Sequence, residues 1–178
     1  MMRAGLQVKS ACLAFLLVAG STAVAQTCVT GILPSNPSAV YYVGSGTVTD
    51  RRVGLMWDQC PWGKSGAECG VGSAGTHTWQ QALLVPDTAN GVTHKGYTDW
   101  RLPNFKELVS LVEQCRTLPS INDTVFPGMT SGGYFWSSSP NSGNAAASWG
   151  VDFGMGFPYI TNRDVTYGNV RLVRTVLY

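Results

Sequence analysis

The side chains able to do chemistry are few, and their spacing limits what they can do. His77 and His94, the only histidines, stand in no H-E-x-x-H pattern, and no cysteine pair has zinc-finger spacing, so no metal centre is expected. Gly70-Val71-Gly72-Ser73-Ala74-Gly75 has the letters of a G-x-G-x-x-G fingerprint. That pattern holds a dinucleotide only between a strand and a helix, where the phosphates meet the helix N-terminus. Here it follows Cys69 in a glycine-rich loop. Ser137-Ser138-Ser139 lacks both a G-x-S-x-G elbow and a neighbouring base, so these serines are expected to fill space beside Trp136. Asp123, Asp152 and Asp164 read as turn residues, and their spacing does not pair them as the two carboxylates of a hydrolase. No catalytic residue and no cofactor is expected.

What remains is a set of side chains suited to recognition. Asn141, Asn144, Trp149, Tyr159, Asn162, Arg163, Asp164 and Tyr167 are the candidate ligand-binding residues, with Phe157 among them in sequence. The rings offer flat faces and the amides, carboxylate and guanidinium offer donors and acceptors, which suits a sugar or a protein surface. Trp149 and Tyr159 could instead belong to the core. Asn141, Asn144, Asp152 and Asp164 could give oxygens to calcium. The Glu-Pro-Asn, Gln-Pro-Asp and Trp-Asn-Asp triplets of calcium-dependent lectins are absent, however, and no metal is assigned.

The leader carries Arg3 and Lys9, an apolar run over residues 11–19, and the small-x-small signal Ala23-Val24-Ala25. This reads as a signal peptide over residues 1–25, since the run is far shorter than the ~20 residues that span a bilayer. The mature chain of about 150 residues suits one domain. Arg3 and Lys9 account for the whole formal charge of +2, so no basic stripe remains for phosphates and no nucleic acid partner is expected. A secreted or periplasmic location follows, with no membrane insertion after cleavage. Cys28, Cys60, Cys69 and Cys115 remain, an even count that favours disulfides in an oxidising compartment. Three pairings are possible. Cys60 and Cys69 are close in sequence around a Gly- and Pro-containing loop, which favours that bridge and leaves Cys28 with Cys115.

Several elements must position these groups. Residues 26–45 read as an extended arm tethered at Cys28. Residues 47–49 and 55–57 read as a β-hairpin, and residues 60–75 as a loop. Thr78 with Gln81 forms a capping box for a first helix, expected to end before Pro86, with residues 87–95 irregular. Asn104 with Glu107 forms a second box, starting a helix near Phe105 whose Phe105, Leu108, Val109 and Val112 share one face. Strands are expected over residues 134–138, 148–153, 159–161 and 170–176. Arg171 and Arg174 in the last of these need partners, with Asp99, Glu107 and Asp152 as candidates. Two helices followed by strands indicate an α+β domain with small antiparallel sheets, stapled by disulfides.

Six pieces in order resemble one family. They are Gly54-Leu55-Met56-Trp57, Trp79-Gln80-Gln81-Ala82-Leu83, Gly96-Tyr97-Thr98-Asp99-Trp100-Arg101-Leu102-Pro103, Phe135-Trp136-Ser137-Ser138-Ser139, Val151-Asp152-Phe153 and Val170-Arg171-Leu172-Val173-Arg174. The chain resembles the Lcl C-terminal domain family, named after the terminal domain of a bacterial collagen-like adhesin. The resemblance implies a domain over residues 46–178 with a C-type-lectin-like, formylglycine-generating-enzyme-like scaffold that mostly serves recognition. It implies a module binding a glycan or a cell-surface or envelope component, or alternatively a structural subunit of a pilus, surface appendage or envelope complex. The oligomeric state is left open. No Cys follows Cys115, so the reactive pair of the formylglycine-generating enzymes has no counterpart here.

Overall fold

The computed structural model of the chain describes residues 27–129, 133–165 and 167–176. The expected signal peptide lies outside the described residues. Strands β1 (Tyr41–Val43), β2 (Thr47–Asp50), β3 (Leu55–Asp58) and, from the far end of the chain, β9 (Val173–Thr175) form one antiparallel sheet in the order β1-β2-β3-β9. The hairpin expected from the sequence is there, with Thr49 opposite Met56. The arm is more structured than expected: its last residues pair with the hairpin, Tyr42 facing Thr49. The Cys60 loop likewise holds a two-residue hairpin, β4 (Lys64–Ser65) with β5 (Val71–Gly72), across the Cys60–Cys69 bridge.

Both helix starts obey their caps. Thr78 and Gln81, and Asn104 and Glu107, exchange the reciprocal bonds of a capping box. The expected stop before Pro86 is wrong, because α1 runs Trp79–Gly91 with Pro86 inside it. A mid-helix proline costs ~3 kcal/mol through its missing N–H and ring clash. Here Ala82, Val85, Pro86 and Ala89 form one buried face, and packing that stripe against the core offsets the cost. Residues 87–91 are therefore helical rather than irregular. The second helix, α2 (Phe105–Val109), is short, and its Leu108 is fully buried.

A third sheet is made of β6 (Tyr134–Pro140), β7 (Ala147–Asp152) and β8 (Phe157–Asn162), in that order. Two apolar clusters join the layers. Trp57, Val48 and Val173 of the first sheet meet Leu108, Leu111, Phe126, Phe135, Val151 and Phe153 in one. The buried face of α1 meets Trp100, Leu102, Tyr134, Trp136, Val170 and Leu172 in the other. Both disulfides follow the pairing favoured from sequence. Cys28–Cys115 ties the arm down across a sequence separation of 87, and Cys60–Cys69 closes a separation of 9. The result is an α+β domain of two helices and small antiparallel sheets with two disulfides.

The two C-terminal arginines find different partners. Arg174 forms a two-pronged ion pair with Asp99, its Nε donating at 2.6 Å and its Nη2 at 3.0 Å, and lies 4.1 Å from the centre of the Tyr97 ring. Glu107 pairs with Arg101 instead. Arg171 is fully buried and, among the described residues, bonds to no carboxylate: its Nη1 donates to the carbonyls of Asp58 and Gln59, and its guanidinium lies 5.0 Å from the Phe126 ring. Burial pushes it down to about 10 from its ordinary value, with nearby Asp58 pulling it up.

Candidate ligand surface

β6, β7 and β8 line up three side-chain positions on one face of their sheet. Trp136 of β6 is opposite Gly150 of β7, which is opposite Tyr159 of β8. Gly150 is required by a close approach: a Cβ there would overlap the Tyr134 ring and the Phe135 carbonyl. Tyr134 fills that space. Its buried ring lies 4.9 Å from Trp136, 5.8 Å from Tyr159 and 5.4 Å from Tyr167. Burial, then the neighbouring Tyr159 and Tyr167 hydroxyls, raise the Tyr134 phenol well above its ordinary value, so it stays neutral. Tyr159 and Tyr167 are 52% and 54% exposed, and with Thr161 and Val165 they line a shallow depression of about 420 Å³. Their inner edges are fixed by Tyr134 and their outer faces are open.

The turns beside this platform are pinned by their own side chains. Asn162 Oδ1 accepts from Asp164 N–H, and Val165 N–H donates to the Asn162 carbonyl. Arg163 faces inward: its Nε donates to the Ala147 carbonyl and Ser148 Oγ, and its guanidinium stacks 4.2 Å from the Trp79 ring centre. Trp79 in turn donates its N–H to the Arg163 carbonyl and its Nε1–H to the Ser137 carbonyl. Asn141 and Asn144 each accept from the amide two residues on, at Gly143 and Ala146, and Arg163 N–H donates to the Ala146 carbonyl. Two turns, residues 141–146 and 162–165, thus meet at one end of the sheet. The side-chain oxygens of Asn141, Asn144 and Asn162 serve local turn bonds before any ligand.

The eight residues named from sequence therefore divide. Tyr159 and Tyr167 form the platform. Asn162, Arg163, Asp164, Asn141 and Asn144 belong to the turns at its end. Trp149 is not brought to it: it pairs with Ile160, on the opposite face of the sheet, and lies half-buried 4.8 Å from Phe105. Sequence reading missed Tyr134, Gly150 and Trp79. For Tyr134 the available signal was period-two alternation, which puts Tyr134 and Trp136 on one face and Phe135 on the other.

A second polar cluster lies elsewhere. His94 Nε2 is 2.6 Å from Asp58 Oδ2, with the Trp62 and Trp100 rings 5.3 Å and 6.0 Å away. Asp58 is buried and also accepts from Cys60 N–H. Among the described residues no Ser, Thr or Cys side chain is bonded to His94. His77 is half-buried, and its carbonyl accepts from Trp136 Nε1–H. Cys28, Glu113 and Cys115 bring three potential ligand atoms within 4.8 Å, but both cysteines are in the disulfide and the carboxylate is taken up by the arm.

Among the described residues no helix is long and apolar enough to cross a membrane. A comparison with the curated proteins finds no match. The six sequence pieces and both cap boxes fall in one continuous stretch, residues 46–174, which matches the model of the Lcl C-terminal domain, and the chain belongs to that family.

Proposed function

We propose that this protein is an exported, non-catalytic recognition module of C-type-lectin-like fold, whose Tyr159–Tyr167 platform binds a glycan of the cell surface or envelope. One observation carries the reading: two half-exposed tyrosine rings held at set distances from a buried third, beside two pinned turns. A ring face stacks on the apolar face of a sugar, and a platform already ordered loses little entropy on binding. The adhesin-like role of the family and the two disulfides support export to a surface. The test is a glycan array with the purified, disulfide-bonded protein and its Tyr159→Ala/Tyr167→Ala variant. Binding by the wild type that drops about tenfold or more in the folded variant supports the reading. No glycan retained by the wild type at low salt ends it.

A second reading, a structural subunit of a surface appendage, draws on the arm, where Val29, Ile32 and Leu33 are 60%, 50% and 88% exposed. Contiguous apolar exposure marks an interaction surface. Co-purification from the native envelope separates the two: a subunit leaves with a stoichiometric partner, whereas a lectin is released by soluble sugar.

A further inference from the structure

Among the described residues, the three-stranded sheet ends on an open edge. β8 is its last strand, whereas the opposite edge, β6, is covered around Asn169, whose N–H donates to the Tyr134 carbonyl and whose carbonyl accepts from Trp136 N–H. Two bonds set the phase of the β8 ladder. Arg163 N–H donates to the Ala146 carbonyl at one end, and on the other side of β7 Phe153 N–H donates to the Gly133 carbonyl. Bonded and non-bonded pairs alternate along an antiparallel ladder. Phe157, Tyr159 and Thr161 therefore turn their backbone groups toward β7, while Pro158, Ile160 and Asn162 turn theirs outward. Pro158 sits where its missing N–H breaks no ladder bond.

These outward groups are self-complementary about Ile160. When two copies pair antiparallel with Ile160 at the centre, each Ile160 N–H donates to the other Ile160 carbonyl, and each Asn162 N–H to the other copy's Pro158 carbonyl. The one donor missing from this pattern is at Pro158, which faces the Asn162 carbonyl. That carbonyl already accepts from Val165 N–H in its own turn at 3.4 Å. No edge group is stranded. Edges that avoid such pairing carry lysine or other charges, but Phe157–Asn162 carries none, so no like charges meet at the two-fold axis. Phe157, Tyr159 and Ile160, 60%, 52% and 41% exposed, add apolar contact on both sides of the bonds.

We propose that β8 is a self-association edge, through which two copies of this chain pair antiparallel and join their three-stranded sheets into one continuous sheet with an isologous interface. The proposal is independent of what the tyrosine platform binds. A contact this narrow gives a weak dimer, with a dissociation constant in the micromolar to millimolar range.

Sedimentation of the purified, disulfide-bonded protein should show the dimer growing with concentration, and the Ile160 and Asn162 amides should gain protection from hydrogen exchange in step. Ile160→Lys, at an exposed position, should weaken the dimer about tenfold or more by setting two charges face to face. Ile160→Cys should cross-link to itself under mild oxidation, because residues facing each other across a bonded pair have Cα atoms about 5.5 Å apart, within disulfide reach. Thr161→Cys should not, since two copies of that residue lie diagonally, about 7–8 Å apart. The idea is overturned by a monomer at all concentrations with unchanged amide protection, by Ile160→Lys dimerising like the wild type, or by equal cross-linking of both cysteine variants.

Discussion

Replacing Glu113 with glutamine should loosen the N-terminal arm and remove part of the protein's acid sensitivity. Glu113 is 1% exposed, and its carboxylate collects four donors. Oε1 accepts from Ser35 N–H at 2.8 Å, from the Ser35 hydroxyl at 2.9 Å and from Cys115 N–H at 3.3 Å, and Oε2 accepts from Asn36 N–H at 2.9 Å. Burial alone would raise this carboxyl, but the Ser35, Asn36 and Cys115 donors together outweigh it and hold it below its ordinary value. Glutamine has nearly the same shape but can keep only one carbonyl oxygen, so its NH₂ faces either Asn36 N–H or the Ser35 pair. A buried donor without an acceptor, together with the lost charge-assisted bonds, costs about 2–4 kcal/mol. For a chain of this size that lowers the melting temperature by roughly 5–15 °C.

The pH dependence has a definite sign. A carboxyl with a lowered folded-state pKa contributes stability that is complete above its unfolded value of about 4.3 and is lost as pH falls through the folded value. The wild type should therefore lose its advantage over Glu113→Gln as the pH drops below about 4. Thermal unfolding followed by circular dichroism at neutral pH and at several acid values measures both effects. Equal melting temperatures at neutral pH, or a gap between the two proteins that does not shrink in acid, would refute the reasoning.

Gly150→Ala should destabilise the fold by about 2–3 kcal/mol, because the added methyl overlaps the Tyr134 ring and the Phe135 carbonyl; a denaturant midpoint unchanged from wild type would remove Tyr134's packing from the account of the platform. Removing the two disulfides separately should cost unequal amounts, about 4.5 kcal/mol for Cys28–Cys115 and about 2.5 kcal/mol for Cys60–Cys69, because the longer loop frees more unfolded-chain entropy. Serine pairs at each bridge, compared by chemical denaturation, check the order. Asp99→Ala should change stability by no more than about 1 kcal/mol despite the two bonds to Arg174, since the Asp99 side chain is 55% exposed; a larger loss would mean the pair couples to the core through Tyr97.

Local signals were legible where a few neighbouring residues decide the outcome. Thr78 with Gln81 and Asn104 with Glu107 start their helices because cap bonds span only three residues. The hairpin at Thr47–Asp50 and Leu55–Asp58 follows from short strands bounded by turn formers, and strands form around Trp136 and Val151 where aromatic and apolar residues interrupt the Gly- and Ser-rich stretch. Pro86 was misread because the local penalty is visible in the sequence, whereas the burial of Ala82, Val85 and Ala89 that outweighs it is not. Trp149 and Tyr159 looked alike as aromatic strand residues. A one-residue difference in parity sends Tyr159 to the platform and Trp149 to the opposite face against Phe105.

By itself, the order of residues determined the family, the α+β class, the helix starts and which residue types were on hand for recognition, because each depends on motifs or on contacts only a few positions long. The tertiary structure alone decided which of those residues meet. Tyr134, Tyr159 and Tyr167 come together only when β6, β7 and β8 pair in register around Gly150, and Arg163 turns inward, half-buried, where β7 and the distant Trp79 meet it. Such contacts join segments far apart in the chain, and their stability comes from buried area and strand register, which no short window of sequence contains.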